Sequence, residues 1–306
     1  MIQVIGNAAV DTVIRLNRFP RPGETTVALG AADDLGGKGA NQAVAAARCG
    51  AEVRLIAAVG TDALGDRIRT ALLAEGVAID GLWTSSHGTD RCVITVDRHG
   101  ENMIVSLVDA ALTFDPLSET AADSWISRGD WVVMQGNLRA SVTQNCLALA
   151  KRRGATTVLN PSPTYPPTEY DWRLVDLAVL NRGEAVELAD GDPFQAAREL
   201  HEKGARAVCL TLGAAGSSFV SAGETFRVGA PEVKAIDTVG AGDVFCGTLV
   251  AARARGFGWR VAMYAASQAA AICVARSGVR ASFPSRAEMA RVLNEAPRRA
   301  GEEHSA

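Results

Sequence analysis

The sequence is poor in the residues that mark several classes of protein. Aromatic residues make up 5% of its 306 residues, and its six cysteines include no CxxC pair, the spacing typical of zinc sites and thiol redox motifs. Each cysteine lies in an apolar segment, where an unpaired thiol acts as a small hydrophobic side chain. We therefore expect neither disulfide bonds nor a zinc site.

Clusters of basic residues and long apolar runs are missing too. The formal net charge is −3 and the arginines are scattered, so no basic face is available to neutralise a nucleic-acid backbone. No stretch approaches the ~20 apolar residues that span a bilayer, and the opening MIQVIGNAAVD lacks the basic region of a secretory signal. We expect a cytoplasmic protein that binds neither nucleic acid nor membranes.

β-Branched runs alternate with longer amphipathic stretches along the chain. The strand-like runs cover 2–6, 53–60, 131–136, 156–160, 177–181 and 207–213, and helical periodicity covers 62–75, 139–153 and 193–203. The alternation predicts βαβ units, and hence an α/β fold in which helices cover a mostly parallel sheet. Ligands of such sheets bind at the carboxyl ends of the strands. We therefore expect a site near Asn160, Asn181 and Thr211, which lie at three of these ends.

Two segments, residues 11–35 and 89–109, depart from this alternation. Both contain alternating polar and apolar residues around turn-forming sequences such as RHGE, without a helical period. They predict a small second β-sheet, which we interpret as a lid because both segments flank candidate site residues. Two surface hairpins are the alternative.

The stretch DTVGAGDVFCGTL, residues 237–249, places two glycines and an aspartate at the start of a helix. Apolar residues recur at helical spacing from Val244 onwards, so Gly240 and Gly242 lie at the helix N-terminus. The unpaired N–H groups there bind anions, and glycines let a phosphate approach the backbone closely. Asp243 would lie beside the bound anion. A capping role would explain Asp243 alone, but not both glycines.

A second glycine turn, LGGKGANQAVAAARCG at residues 35–50, precedes an alanine-rich helix. It places free amides, the cation Lys38 and the amide Asn41 at another helix start. A turn that only lets the helix pack closely on the sheet is the alternative. Neither turn has the spacing of a P-loop or of a dinucleotide-binding GxGxxG sequence. This disfavours a nicotinamide-dependent oxidoreductase and indicates a nucleotide site of another design.

Together, the two turns resemble the signature motifs of the ribokinase (PfkB) family of carbohydrate kinases. The resemblance extends over nearly the whole chain, through VIGNAAVD, FPRPGET, AAVGTDALGD, NPSP, NRGE and TLGAAG. It implies one ribokinase-like domain over residues 1–306, with a three-layer α/β/α architecture, a mostly parallel central sheet and a small β-sheet lid. It also implies transfer of the ATP γ-phosphoryl group to a hydroxyl of a small sugar or sugar-like substrate.

The resemblance also implies roles for individual residues. Asp243 would be the general base that accepts the hydroxyl proton. The amides of Gly240, Ala241 and Gly242 would form an anion hole for the transferred phosphoryl group, which suits a reaction that depends on positioning and charge stabilisation.

The same resemblance implies which residues bind the nucleotide and the metal ions. Asn181 and Glu184 match the NxxE motif that helps to place Mg²⁺ through its water ligands. The loop that holds the nucleotide is matched by Thr211, Gly213 and Gly216. A monovalent-cation site, with K⁺ as the expected activator, is matched by Asp237, the carbonyl group of Val239 and Ser282.

The sugar contacts implied by the resemblance are Asp11, Gly37, Lys38, Asn41 and Asn137. Asp11 suits this role because a carboxylate accepts hydrogen bonds from two neighbouring hydroxyl groups. Two residues depart from the ribokinase pattern: Ala9 replaces a usual asparagine, and Asn137 replaces a usual glutamate. Ribose, another pentose, a ketose, a sugar acid and a nucleoside are therefore all candidate substrates.

Two other functions fit parts of the pattern. A nucleoside kinase of the same family is one, although the few aromatic residues offer no clear surface on which a base would stack. A sugar- or nucleotide-binding regulator without turnover is the other, but a binding protein has no need of a base at Asp243. Exposed strand edges in the lid predict a homodimer formed through the lid.

Overall fold

The β-branched runs of the sequence form the strands of two sheets. The computed structural model of the protein describes residues 1–118, 125–164, 169–188 and 192–302. The strands are β1 (Ile2–Ile5), β2 (Ala9–Arg15), β3 (Gly30–Gly36), β4 (Val53–Val59), β5 (Leu82–Thr84), β6 (Arg91–Val96), β7 (Asn102–Leu107), β8 (Trp131–Gln135), β9 (Thr156–Asn160), β10 (Leu177–Asn181), β11 (Ala207–Thr211), β12 (Ser217–Ser221) and β13 (Thr225–Val228). The helices are α1 (Lys38–Arg48), α2 (Ala63–Ala74), α3 (Asp109–Thr113), α4 (Ala140–Arg153), α5 (Arg182–Leu188), α6 (Pro193–Glu202), α7 (Ala241–Ala254), α8 (Trp259–Val274) and α9 (Arg286–Glu302).

The larger sheet contains nine strands in the order β13-β12-β11-β10-β9-β8-β1-β4-β5. All pairs from β11 to β5 in this order are parallel, whereas β12 and β13 add an antiparallel edge. The six predicted strands and three predicted helices occur within two residues of their expected bounds. The predicted fold class is therefore confirmed. The edge strands β5, β12 and β13 are additions that the sequence patterns did not predict.

Side chains of the central strands alternate between two buried cores, one on each face of the sheet, because neighbouring side chains on a strand point in opposite directions. Val4 and Val133 pack in a core with side chains of α1, α7, α8 and α9, whereas Ile5 and Met134 pack in a core with side chains of α4 and α6. Helices thus cover both faces of the sheet. Within the described ranges, no helix has the length and apolarity needed to cross a bilayer.

The smaller sheet is formed by the two segments that lack a helical period. Its four strands have the order β3-β2-β6-β7. β2 pairs antiparallel with β3 and parallel with β6, and β6 pairs antiparallel with β7. β3 ends at Gly36, next to the N-cap of α1, so this sheet joins the main body at the first glycine turn. Its function as a lid, and the extent of a single domain over 1–306, stay predictions.

Candidate active site

A cleft of about 200 Å³ lies at the carboxyl ends of the central strands β9, β10 and β11, where the architecture predicts a ligand. Its polar lining consists of Lys38, Asn160, Asn181, Glu184, Thr211, Thr238, Gly240, Gly242 and Asp243. The cleft therefore brings together residues of both glycine turns and three of the residues assigned to the nucleotide and Mg²⁺.

The N-terminus of α7 faces this cleft. Gly240 is the N-cap residue and has a φ of 79°, a left-handed conformation that glycine adopts without strain. A Cβ atom at Gly240 would also lie 2.7 Å from Cε1 of Phe283. A Cβ atom at Gly242 would meet no other part of the described chain within 4 Å. The space beside Gly242 is therefore open to a ligand.

Asp243 lies in the first turn of α7 and is 5% exposed. Its carboxylate accepts hydrogen bonds from Asn41 Nδ2 and Gln42 Nε2, each at 3.0 Å, and Lys38 Nζ lies 3.7 Å from Oδ1. These partners belong to α1 and not to the amides of α7, so they do not support the capping interpretation. Burial acts to lower the pKa of Lys38, but the charges of Asp243 and Glu184 outweigh it and raise that pKa above its ordinary value.

Two further amide side chains, Gln42 and Gln135, continue this network, and the sequence patterns did not predict them. Gln42 Nε2 also donates to Asn160 Oδ1 at 3.0 Å, and Gln135 Nε2 donates to Gln42 Oε1 at 2.9 Å. The sequence predicted Asn160 only as the end of a strand. Gln42 lies within an alanine-rich helix in which the glycines, Lys38 and Asn41 were the candidate residues. The available signal was spacing, since Lys38 and Gln42 are four residues apart and share one helix face.

The glycines of the first turn are enclosed by backbone. Gly37 is the N-cap residue of α1 with a φ of 88°, and a Cβ atom there would lie 2.9 Å from the Ala9 nitrogen. A Cβ atom at Gly39 would lie 2.7 Å from the carbonyl oxygen of Asn7. Close packing therefore accounts for these two glycines, as the alternative interpretation of this turn expected. Lys38, on the same turn, nevertheless faces the cleft.

Asp11 lies buried on β2 beside the first turn. Its cross-strand neighbours are Asp34 on β3 and Cys92 on β6, and a Cβ atom at Gly36 would lie 2.2 Å from its carboxyl group. Burial raises the pKa of Asp11 to about 6; a hydrogen bond with Cys92 acts in the opposite direction, and the charges of Asp34 and Asp243 add to the effect of burial. The ionised carboxylate is therefore a costly group that hydroxyl donors of a ligand would stabilise.

Asn181 and Glu184 bind each other at the start of α5. The Asn181 N–H donates to Glu184 Oε2 and the Glu184 N–H donates to Asn181 Oδ1, both at 2.9 Å, as in a capping box. This leaves Oε1 as the oxygen of Glu184 that the capping pair does not use. In the described part of the chain, no three His, Cys, Asp or Glu side chains form a group that could hold a metal ion.

Gly213 begins the 3₁₀ turn that follows β11 and Gly216 is its C-cap residue, and their φ angles are 60° and 86°. A Cβ atom at Gly216 would lie 2.0 Å from the carbonyl oxygen of Val228, so packing of the turn accounts for this glycine. Gly213 is exposed, with open space at its Cβ position. Neither glycine lines the cleft, although Thr211 at the end of β11 does.

The residues assigned to a cation site lie on neighbouring loops. Asp237 accepts hydrogen bonds from the N–H groups of Val239 at 3.0 Å and Gly278 at 3.3 Å. The Cys273 sulfur lies 3.1 Å from Ser282 Oγ and 3.8 Å from the carbonyl oxygen of Val239. A carboxylate, a carbonyl and a hydroxyl are the oxygen donors that hard cations bind, so the donor set fits such an ion.

The two departures from the ribokinase pattern differ in their surroundings. Asn137 follows β8, and its Oδ1 atom is enclosed without a hydrogen-bond partner in the described ranges. Such an acceptor is unfavourable until it receives a donor. Ala9 is buried and offers only a methyl group. A ligand hydroxyl would therefore improve the surroundings of Asn137 and gain nothing polar from the Ala9 side chain.

Known proteins resemble this chain over nearly its whole length. Residues 1–286 match the family described as pfkB family carbohydrate kinase. A ribokinase from Haemophilus influenzae is 34% identical over 302 residues, which cover 96% of this chain and 99% of the relative. The solved ribokinase from Thermotoga maritima has a TM-score of 0.89 at 29% identity, over 96% of this chain and 99% of that one. An Arabidopsis thaliana ribokinase complexed with ribose and ATP has a TM-score of 0.84 at 25% identity, over 95% and 98%.

The fold, the cleft and these relatives define an ATP-dependent sugar kinase. Within that class, the chain belongs to the pfkB family of carbohydrate kinases. The predicted family, fold class and enzyme class are thereby confirmed. The roles of individual site residues stay predictions.

Proposed function

We propose that this chain transfers the γ-phosphoryl group of ATP to a hydroxyl of a small sugar, with Asp243 as the general base. The observation that carries the proposal is the position of the Asp243 carboxylate, which is buried in the cleft next to the open backbone of Gly242. A base and an anion-binding helix terminus are the two groups that phosphoryl transfer to a hydroxyl requires.

Donors on α1 orient the base. Asn41, Gln42 and Lys38 approach its two oxygens, and because a carboxylate has about four acceptor positions, one remains for a substrate hydroxyl. Asp243 takes the hydroxyl proton as the hydroxyl oxygen forms its bond to the γ-phosphorus, and the bond from that phosphorus to the β-phosphate bridge breaks to release ADP. General base catalysis of this kind contributes about 10²–10⁴-fold.

The N-terminus of α7 would stabilise the charge on the transferred group. The amides of Gly240, Ala241 and Gly242 form the proposed anion hole, and the Ala241 amide also donates to the carbonyl oxygen of Thr238 at 3.3 Å. Lys38 adds a full positive charge in the same cleft. Fixed donors are effective here because they do not have to reorient as charge develops.

Asn181 and Glu184 would hold Mg²⁺ through water. Oε1 of Glu184 suits an ion that keeps several water molecules and takes its other ligands from substrate phosphates. The bound ion supplies charge neutralisation at the phosphates. We assign nucleotide contacts to Thr211 and Gly213, and the shape of the adjoining turn to Gly216.

The sugar would bind between the two glycine turns. We assign hydroxyl contacts to Asp11, Lys38, Asn41 and Asn137, and we assign to Gly37 the shape of the turn that presents Lys38 and Asn41 to the sugar. The buried acceptors of Asp11 and Asn137 favour a substrate with several hydroxyl groups. Ribose is a candidate because relatives are ribokinases, and other pentoses, ketoses and sugar acids are candidates because of Ala9 and Asn137.

We also propose K⁺ as an activator that binds the Asp237 carboxylate, the Val239 carbonyl and the Ser282 hydroxyl. The support is the oxygen donor set described above, close to the α7 N-terminus. Initial rates in K⁺, Na⁺ and a bulky ammonium buffer test this part of the proposal. Equal rates in all three would remove it.

The lid is proposed to form a homodimer. β7 is an edge strand, and Met103, Ile104, Val105 and Leu107 on it are each at least 55% exposed. A long apolar edge strand is favourable only when another chain covers it. Light scattering should give twice the 32.0 kDa mass of the chain, and a monomer at micromolar concentration would contradict the proposal.

A coupled ADP-release screen tests the function itself. The purified protein is incubated with ATP, Mg²⁺ and K⁺ against pentoses, hexoses, sugar acids, polyols and nucleosides, with a no-acceptor control. One strong sugar responder is expected. A nucleoside responder would instead identify a nucleoside kinase. Silence across the panel, together with thermal shifts on adding ATP or sugars, would support a regulator that binds without turnover.

A further inference from the structure

Arg280 connects the small sheet to the loop beside the proposed cation site. Its Nε atom donates to Asp34 Oδ1 on β3 at 3.0 Å, and its Nη1 atom donates to Glu75 Oε1 at 3.4 Å. The three side chains are only partly exposed, at 32% for Arg280, 22% for Asp34 and 12% for Glu75. They lie at long sequence separation, so this contact links parts of the chain that local structure does not hold together.

On the small-sheet side, Asp34 is a neighbour of Asp11. The two aspartates are directly opposite each other in the β2–β3 pair, and the charge of Asp34 is one of the causes that raise the pKa of Asp11. β3 then continues through Gly36 into the first glycine turn. A shift of β3 would therefore change both the position and the charge environment of the proposed sugar contacts.

On the other side, Arg280 begins the 3₁₀ turn that contains Ser282 and leads to Phe283. The ring of Phe283 lies against Gly240, the N-cap residue of α7. The Phe283 carbonyl accepts a hydrogen bond from Arg48 at 3.0 Å, and Arg48 makes two hydrogen bonds to Glu75, at 2.6 and 2.9 Å. Arg280 is thus part of a loop that Arg48 holds through hydrogen bonds and that contacts the proposed anion hole through Phe283.

We propose that Arg280 is a positioning residue that holds β3 in register with the loop supporting the α7 N-terminus and that offsets the charge of Asp34 next to Asp11. This inference rests on the proposed function for its kinetic consequences, but its electrostatic part concerns the protein alone. Within the described part of the chain, the titratable groups that act on the Asp11 carboxyl are Cys92 from β6, through a hydrogen bond, and Asp34 from β3 and Asp243 from α7, through their charges.

The test compares Arg280→Met, Asp34→Asn and the double variant with a matched control, Arg276→Met. Arg276 is on the same loop and pairs with Glu288 at 2.6 Å, without a contact to Asp34 or Glu75 among the described hydrogen bonds. The Asp11 titration midpoint is measured by NMR on protein labelled with ¹³C at aspartate carboxyls, with Asp11→Asn for assignment. KM and kcat are measured with D-ribose or with the strongest responder of the screen.

We expect Arg280→Met to raise the Asp11 midpoint by about 0.5–1 pH unit, since the charge of Asp34 is no longer offset. The double variant should return the midpoint to the wild-type value or below it. KM for the sugar should rise about tenfold in Arg280→Met, and Arg276→Met should leave both quantities unchanged. A merely structural ion pair would lower the melting temperature without moving the midpoint.

Equal midpoints in Arg280→Met and Arg276→Met would overturn the inference. If the midpoint moves but no acceptor is phosphorylated by the wild-type protein, the proposed function fails while the electrostatic role of Arg280 stands. If the midpoint moves and KM does not, the positioning part is wrong.

Discussion

The two helix N-termini at the cleft share one layout and differ in their surroundings. In α1 the N-cap residue and the second helical residue are Gly37 and Gly39, and in α7 they are Gly240 and Gly242. Both N-cap glycines have positive φ angles, 88° and 79°. Gly39, however, is enclosed by the backbone of Asn7, whereas Gly242 has open space at its Cβ position.

This difference separates a turn that serves packing from a turn that serves a ligand. The α1 turn packs against residues 6–9, which join β1 to β2, and it contributes to the site through side chains, above all Lys38. The α7 turn contributes backbone amides, because nothing in the described chain covers Gly242. The two turns are in contact through Asp243, because this residue of α7 accepts hydrogen bonds from Asn41 and Gln42 of α1.

The largest effect should follow from removing the base. We expect Asp243→Asn to lower kcat by about two to four orders of magnitude, the range of general base catalysis, because the amide cannot accept the hydroxyl proton. ATP and sugar binding should largely persist. Steady-state kinetics and calorimetric binding check this.

Asp66→Asn is the matched control, since Asp66 also lies in the first turn of a helix, α2, but is exposed. Its kcat should equal that of the wild type. A kcat for Asp243→Asn within tenfold of the wild type would remove Asp243 as the base.

A smaller loss is expected from the cation of the α1 turn. Lys38→Met removes a charge that faces both Asp243 and the proposed phosphate path, and a hydrogen bond to a charged group contributes about 1.5–3 kcal/mol, or roughly 10–150-fold. We expect Lys38→Met to decrease kcat/KM for ATP by a factor in that range. Lys151→Met, which breaks a pair with Asp176 away from the cleft, is the control and should not change it.

Alanine substitutions at the second helical residues, Gly39 in α1 and Gly242 in α7, should have opposite effects on stability and activity. Gly39→Ala should destabilise the fold by about 1–3 kcal/mol, because its Cβ atom would overlap the Asn7 backbone. Gly242→Ala should leave stability unchanged or higher, since alanine favours a helix. It should lower kcat/KM for ATP about tenfold by narrowing the approach to the amides, an effect of ~1.4 kcal/mol.

Thermal unfolding and kinetics on both variants decide the matter. If Gly242→Ala has a lower melting temperature than the wild type and an unchanged kcat/KM for ATP, the α7 turn does not bind a ligand through its amides.

The sequence predicted the fold from local patterns, because buried parallel strands are near-continuous β-branched runs such as LAVLN and their helices are amphipathic. It located the cleft from strand ends such as Asn160 and Asn181. It did not predict the edge strands β5, β12 and β13, whose pairing depends on neighbours distant in sequence. Nor did it find Gln42 or Arg280, whose partners are known only once the chain has folded. The same limit left both glycine turns with two interpretations.

The last prediction concerns the pH dependence of Asp11 in the small sheet. The folded-state pKa of Asp11 is raised to about 6, so the protonated form is favoured by folding. Protonated Asp11 therefore stabilises the fold relative to ionised Asp11. This contribution to the free energy of unfolding is complete below pH 3.8, the ordinary pKa, and is lost as the pH rises through about 6. Asp11→Asn should therefore be more stable than the ligand-free wild type at pH 7, by ~1–3 kcal/mol.

The same titration should appear in catalysis with the opposite consequence. Only the ionised carboxylate accepts from two hydroxyl groups, so kcat/KM for the sugar should be halved near pH 6 and fall further below it. Asp11→Asn should remove this dependence together with most of the sugar affinity. A variant that is less stable than the wild type at pH 7, or a wild-type profile that is flat from pH 7 to pH 5, would show that Asp11 is not the costly, ligand-stabilised carboxylate that its position between Asp34 and Cys92 indicates.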